Sequence, residues 1–369
     1  MIKRRLYILG NGFDIANGIT SVTYQNFYKF VQNGITANNK NKESFEKTLL
    51  FLDIVPAKEL NLAQYDNICV KMDYTEEKPW FDLETRLSFP NINELESHLL
   101  NYLNDKDEVT QINQFVSKYF KCTPPLAIGE KSIPEARVYL KTVKDCFQSV
   151  FNEWVLTKKF EYKRAVPFSL FKHGEQSFMN NSKDLFFTFN YTTTLEHLFK
   201  VPSSNIIHIH GCVDDIPASN MIVGHNSEQI YEQNNKTYFA ELIGELRKEE
   251  IAFFQSFSKN SKSLIKNNGI FKTWFQNLES VDCDISEIII FGHSLGIVDS
   301  HYFISFFKLA IKKRIPIKIY AFIGDPFVYV NLNSLLRTSD DYNYSLTISR
   351  NISQLKDYHV ITIQCEGGM

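Results

Sequence analysis

Four short segments of this 369-residue chain bring together residue types that can do chemistry, and each follows a short apolar run. They are Gly10-Asn11-Gly12-Phe13-Asp14, with Gly18 close behind, Thr188-Phe189-Asn190-Tyr191-Thr192, His208-Ile209-His210-Gly211 and Gly292-His293-Ser294-Leu295-Gly296. A glycine turn between a strand and a helix lets phosphate approach the backbone, because no Cβ blocks it and helix N–H groups point at the anion. The first segment therefore predicts a nucleotide site, although its spacing is not Gly-x-Gly-x-x-Gly and a plain strand-to-helix turn explains it equally well. An amide such as Asn190 can hold a nucleophile, and an imidazole can take its proton near neutral pH. Structural readings stand beside these: Asn190 as the cap of a helix over Thr192 to Lys200, and His210 as a hydrogen-bonded core histidine. His208 and His210 share a strand face by the two-residue period, so spacing does not separate them as a base.

The last segment also fits the Gly-x-Ser-x-Gly nucleophile elbow of a serine esterase, with Asp325 and His359 following in the order of an α/β-hydrolase triad. Against that reading, the interval from Ser294 to Asp325 has room for one helix and one strand, whereas a hydrolase sheet places a further strand there. It also leaves Asn190 and His210 without a role.

The elements that must position these residues are short β-branched or aromatic runs: Arg5 to Leu9, Leu185 to Phe189, Asn205 to His210, Ile285 to Phe291, Pro316 to Ile323 and His359 to Gln364. Continuous apolar runs separated by helical periodicity predict buried parallel strands, and hence an α/β fold built on a doubly wound, mainly parallel sheet. In such a sheet functional residues collect at the carboxyl ends of strands, where all four segments fall. The interval of about 175 residues between the first two strands is far too long for one crossover helix. Large helical insertions are expected, over residues 40–180 and 228–280 of an otherwise single domain spanning 1–369. Apolar spacing of three and four predicts helices over Ile92 to Tyr102, Val109 to Phe120 and Ile133 to Leu156. In Trp80-Phe81-Asp82-Leu83-Glu84 the aromatic side suits a helix packed on the core, while Asp82 or Glu84 could instead reach the site as lid residues.

With 44% hydrophobic residues and a formal net charge of -2, the chain can bury one large core or two modest ones. Lys+Arg 40 against Asp+Glu 42 gives no global attraction for nucleic acid or for an anionic membrane. The run Lys312-Lys313-Arg314 is most simply a solvated helix end. Six scattered cysteines, with no Cys-x-x-Cys pair, predict neither a zinc knuckle nor a disulfide framework. The first residues lack a signal-peptide pattern and no stretch is apolar enough to span a membrane, so a cytoplasmic protein is expected.

In motif order the chain resembles the sirtuin-type NAD-binding fold. A Gly-Ala-Gly-Ile-Ser turn, a Gln-Asn-Ile-Asp strand end, a His-Gly and a Gly-Thr-Ser-Leu turn in sirtuins correspond here to Gly10 to Asp14 with Gly18-Ile19, Phe189-Asn190-Tyr191, His210-Gly211 and Gly292-His293-Ser294-Leu295. The chain is still more similar to the bacterial abortive-infection AbiH family. That similarity rests on Gly-Asn-Gly-Phe-Asp, Trp80 to Glu84, Phe-Asn-Tyr-Thr, Ile-His-Gly and Gly-His-Ser-Leu with Asp299 and Tyr302. The zinc-binding cysteine pairs of sirtuin deacylases are missing, and Thr20-Ser21-Val22 replaces their Pro-Asp-Phe-Arg, which argues against a protein deacylase.

The resemblance implies a Rossmann-type, sirtuin-like core and an anti-phage effector that hydrolyses NAD to nicotinamide and ADP-ribose without a metal. Asn190 and His210 would be catalytic, the family pattern favouring His210 over His208. Gly10, Asn11, Gly12, Phe13, Asp14, Gly292, His293, Ser294 and Asp299 would bind the dinucleotide. Of these, the backbone at Gly10 to Phe13 and Ser294 would hold the pyrophosphate, and Asp14 and Asp299 would bind ribose hydroxyls or balance developing charge. A nucleotide-binding sensor without catalysis is the other expectation, since a pocket needs no reactive pair. An NAD-cleaving enzyme must be held back, so residues of about 40 to 180 would shield the cleft or mediate assembly. A phage-derived trigger, a partner protein or a homo-oligomer would then release it.

Overall fold

The computed structural model describes residues 4–19, 24–37, 41–54, 132–163, 183–214, 269–280, 285–296, 299–322, 327–337, 344–350 and 358–365, with isolated positions at 95, 99, 221, 248, 249, 252, 253, 256 and 257. The described chain forms a mixed α/β fold around a seven-stranded sheet of order β3-β2-β1-β4-β5-β7-β6. Its strands are β1 (Arg4–Leu9), β2 (Leu185–Thr188), β3 (Ile206–His208), β4 (Ile285–Phe291), β5 (Ile317–Phe322), β6 (Tyr344–Arg350) and β7 (Tyr358–Cys365). The first five are parallel, and each lies where an apolar run predicts it. From β1 the chain winds out through β2 and β3, then returns to pair β4 on the other side of β1. The crevice between the carboxyl ends of β1 and β4 is therefore the point at which the winding reverses, where ligands of open α/β sheets bind.

Alternation along β1 shows why the sheet needs cover on both faces. Leu6, Tyr7, Ile8 and Leu9 are all fully buried, with Leu6 and Ile8 on one face and Tyr7 and Leu9 on the other. Leu6 and Ile8 pack with Leu278 of α6 (Gly269–Glu279), with Tyr302, Phe303 and Phe306 of α7 (Ser300–Lys313), and with Val328 and Leu332 of α8 (Phe327–Arg337). The opposite face packs with Phe13 of α1 (Asn11–Ala16) and with Leu195 and Phe199 of α5 (Thr194–Phe199). Each buried side chain of this size contributes about 1.5–3 kcal/mol relative to exposure.

Two features of the far edge correct the sequence reading. The run beginning at His359 is not a parallel strand: β7 pairs antiparallel with β5, Ile319 opposite Ile361, and antiparallel with β6. Only residues 351–357 join β6 to β7, too few for the crossover that a parallel pair requires. The strand β6 itself has no counterpart among the expected runs. Its Tyr-Ser-Leu-Thr-Ile-Ser-Arg alternation is the period of a half-covered strand rather than of a run buried on both faces.

The chain divides into two compact units, Met1–Val22 with Asn152–Ile222 and Asn260–Met369, and Thr23–Phe151 with Val223–Lys259. The sheet belongs to the first. The second contains α2 (Tyr24–Thr36), α3 (Lys42–Ile54) and most of α4 (Ser132–Thr157), the helix whose periodicity runs through Ile133 to Leu156. Its interior is aromatic: Phe51 lies 4.9 Å from Phe147 and 5.2 Å from Phe257, and Phe27 lies 5.4 Å from Phe151, ring centre to ring centre. Apart from Leu95 and Leu99, both buried, the expected helices over Ile92 to Tyr102 and Val109 to Phe120 lie outside the described residues, as does Trp80 to Glu84. No helix among the described residues is long and apolar enough to cross a membrane.

Candidate functional site

At the carboxyl edge the turns after β1 and β4 interlock. The Gly10 N–H donates to Phe291 O at 3.0 Å, the Gly12 N–H to Gly292 O at 2.8 Å and the Phe13 N–H to Gly10 O at 2.9 Å. A Cβ on Gly10 or Gly12 would lie 2.6 Å from Gly292 O or Gly292 Cα respectively, and one on Gly292 would lie 2.5 Å from Phe13 N. Gly292 also takes a left-handed φ of 64°, which costs glycine nothing and other residues about 1–2 kcal/mol. The space opened by these glycines is thus filled by the opposing turn. Of the backbone expected to hold the pyrophosphate, the N–H groups of Gly10, Gly12 and Phe13 have protein acceptors.

Asp14 lies below this turn and is fully buried. Its carboxylate accepts hydrogen bonds from the Thr192 hydroxyl and, at 2.6 Å, from the Thr194 hydroxyl. Burial pushes its pKa up to about 6, against the opposing hydrogen bonds of Thr192 and Thr194, the charge of His208 and the side chain of Asn190. Asn190 is buried too, and its amide donates to Gly10 O at 3.0 Å. The amide nitrogen is thus the donor here, and Oδ1 remains as an acceptor. The N-cap position of α5 falls to Thr193, so Asn190 does not cap that helix. It ties the ends of β1 and β2 together.

The structure separates the two histidines that spacing leaves equivalent. The strand β3 stops at His208, and His210 lies in the turn that follows, completed by Gly211 at φ 76°. His208 is clamped, Nδ1 at 3.1 Å from Asn190 O and Nε2 at 2.9 Å from Glu196 Oε1. His210, only 1% exposed, instead directs Nε2 to Asp299 Oδ1 at 3.4 Å, while Asp299 Oδ2 faces His293 Nε2 at 3.4 Å. Asp299 occupies the N-cap position of α7 but makes no side-chain cap bond. An aspartate there ordinarily contributes about 1 kcal/mol as a cap. Its carboxylate is turned into the site instead. Phe189 lines both imidazoles, with its ring centre 5.4 Å from that of His210 and 4.4 Å from that of His293, and Tyr302 stands 6.4 Å from His210. These apolar walls strengthen the electrostatic pull of Asp299 on both rings.

The chain ends of β1, β2, β3 and β4 thus bring Gly10, Asn190, His210, Gly292, His293 and Asp299 to one edge of the sheet. Phe13 and Asp14, expected to touch the dinucleotide, do not line the site. Phe13 is buried in the core 5.7 Å from Phe199, and Asp14 is sealed under Thr192 and Thr194. Asn11 is half-buried and Ser294 is exposed at the rim. In the esterase reading Ser294 would sit on the strained residue of a strand-to-helix elbow. The left-handed residues of that segment are instead Gly292 and Leu295, and α7 begins only at Ser300. Asp325 lies outside the described residues, and His359 is known only by its backbone place in β7. Among the described residues no group of three or more His, Cys, Asp or Glu is arranged to hold a metal.

Sequence reasoning passed over a brace beside the site. The Tyr162 hydroxyl accepts from the Thr193 N–H at 2.8 Å, and its ring stacks on His197 at 4.7 Å. Thr193 donates to Asp214 at 2.8 Å, and Asp214 also pairs with Lys159. Burial opposes ionisation of Asp214, but hydrogen bonds from Lys159 and Thr193 hold its pKa below the usual range. The run Thr192-Thr193-Thr194 was the available signal: three adjacent hydroxyls just before a helix mark side chains that bond locally rather than pack.

None of the curated proteins and none of the solved structures matches this chain. A family model does, that of bacteriophage abortive infection AbiH, over residues 6–320. This span includes most of β1, all of β2 to β4, most of β5 and every residue of the site described above. The chain belongs to the bacteriophage abortive infection AbiH family.

Proposed function

We propose that this abortive-infection protein is an NAD glycohydrolase with a sirtuin-like core, cleaving the bond between nicotinamide and ribose. The observation that carries this reading is the buried His210–Asp299 pair at the carboxyl edge of a sheet whose winding reverses there, the edge at which Asn190 is tied to Gly10. The His210 imidazole takes the proton, and Asp299, 3.4 Å away, balances the imidazolium so formed. The Asn190 carbonyl oxygen accepts from a water or ribose hydroxyl and holds it for attack. As the C–N bond breaks, its electron pair goes to the pyridine nitrogen and nicotinamide leaves neutral. Water adds to the ribose carbon, its proton passes to His210, and the products are nicotinamide and ADP-ribose. Phe189, Tyr302 and Phe303 exclude competing water from the base. Because the turn after β1 is closed by the turn after β4, the dinucleotide would lie over the rim at Asn11 and Ser294 rather than inside the glycine turn.

The test is incubation of purified protein with NAD and chromatographic analysis of the products. Nicotinamide and ADP-ribose should form, and His210→Gln should lower kcat by about two or more orders of magnitude. Binding without turnover would favour a nucleotide sensor. Fluorophosphonate labelling of Ser294, with ester hydrolysis surviving in His210→Gln, would favour the serine esterase.

A further inference from the structure

We propose that His293 is a positioning residue that presents a fixed Nε2–H to Asp299, and neither a proton-transfer base nor a contact for the dinucleotide. The Leu295 main-chain N–H points at His293 Nδ1 from 2.9 Å. An N–H can only donate, so Nδ1 holds a lone pair there and the neutral ring carries its proton on Nε2. That nitrogen faces Asp299 Oδ2 at 3.4 Å, while the other carboxylate oxygen faces His210 Nε2 at 3.4 Å. Asp299 thus stands between two imidazoles with different duties. His293 holds the carboxylate from one side, and the carboxylate holds the base from the other. The ring of His293 is itself fixed by Phe189 at 4.4 Å and Phe303 at 4.7 Å between centres.

The turn that supplies the donor is built rather than incidental. Leu295 has φ 58° and is only 1% exposed. The left-handed conformation costs a non-glycine residue about 1–2 kcal/mol and persists only where the surroundings impose it. Burial of the leucine side chain holds the strained turn, and the turn places the N–H two residues from the ring that it orients. The arrangement also explains why Asp299 leaves its own helix uncapped: a carboxylate bonded to Ser300 or its neighbours could not reach both rings.

The inference takes His210 as the base and so rests on the proposed activity, but its main test does not. Histidine-selective 15N labelling and long-range 15N–1H correlation of the full chain at pH 7.5 read the tautomer of each ring directly. His293 should show an unprotonated Nδ1 and a protonated Nε2, and its signals are assigned by their loss in His293→Gln or in His293→Phe, whichever folds. A proton on Nδ1, or a mixture of tautomers, would overturn the proposal whether or not NAD is cleaved. Where NAD is cleaved, His293→Gln keeps an amide donor near the place of Nε2 and should lose less than about tenfold in kcat, while His293→Phe should lose about a hundredfold or more with KM little changed. An equal fall in both variants would make His293 a proton-transfer residue and sink the assignment. Failure of the NAD reading alone would show as no turnover in any form with the His293 tautomer intact.

Discussion

The side-chain amide of Asn190 donates to the carbonyl of Gly10 across 3.0 Å of space and 180 residues of chain. Through this bond the residue expected to hold a nucleophile also fastens the end of β2 to the turn after β1. A group with both duties cannot be removed without consequence for the fold. The sequence alone suggests that Asn190→Ala would silence a catalyst and leave its frame untouched. The geometry replaces that expectation.

Asn190→Ala should lower the free energy of unfolding by about 0.5–1.5 kcal/mol, since it removes a buried hydrogen bond to Gly10 O. The loss would be read from urea denaturation beside the wild type. Turnover should be compared at a temperature where both are folded, and a fall of about a hundredfold is expected there. Unchanged stability would mean that the tie to Gly10 contributes nothing.

Asp14 gives the protein a pH-dependent stability of definite sign. Its carboxyl is raised from 3.8 to about 6 on folding, first by burial. Between those values the folded state binds the extra proton, so stability falls as pH rises through this window and the full cost is present above about pH 6. A shift of this size is on the order of 3 kcal/mol. The stability difference between wild type and Asp14→Asn should therefore move in favour of the wild type by about 2 kcal/mol from pH 7.5 to pH 4.5, measured by chemical denaturation. A difference independent of pH would show that Asp14 is not the titrating group.

Two glycines four residues apart should respond very differently to alanine. At Gly292 the added carbon meets Phe13 N at 2.5 Å and the φ of 64° is unfavourable as well. Gly292→Ala should cost about 3 kcal/mol or more, or yield no folded protein. At Gly296 the nearest atom is Ser294 Oγ at 3.5 Å, an ordinary contact. Gly296→Ala should stay within about 1 kcal/mol of wild type. Thermal unfolding of the two variants decides the matter.

An NAD-cleaving member of an abortive-infection family must be silent until infection. Expression of the intact gene should be tolerated, with cellular NAD falling only after phage arrives. The signal, whether a phage product, a partner protein or self-association, must favour the active state by several kcal/mol to switch it fully. NAD measured through an infection time course checks this. Steady NAD would end the defence reading, and depletion without phage would end the idea of restraint.

The fold was legible where physics makes strands conspicuous. Ile288, Ile289, Ile290 and Phe291 are all buried, and a strand covered on both faces has to be a continuous apolar run. The alternating β6 lacks that signature, and the direction of β7 depends on how short its connection to β6 is. The four segments do follow β1 to β4, but a motif does not disclose what its members touch. Gly12 reads as an opening for phosphate until Gly292 is found in the gap. Asp299 reads as a helix cap or a ribose ligand until it is found between His210 and His293, which lie 83 residues apart in sequence. Pairings of such separation are set by the topology and leave no trace in local spacing.

The interlocked turns set an order of events during synthesis. The strand β1 leaves the ribosome first, but its ladder partners β2 and β4 begin only at Leu185 and Ile285. Until then Leu6, Ile8 and the turn that follows have nothing to close against, and loop closure over such separations is slow. Gly292, His293 and Asp299 emerge later still. A polypeptide cut short at three quarters of its length holds Asn190 and His210 but neither the second turn nor the carboxylate between the histidines. Whatever reaction the site performs, an unfinished copy cannot perform it, and premature termination of translation yields an inert fragment rather than an unregulated toxin.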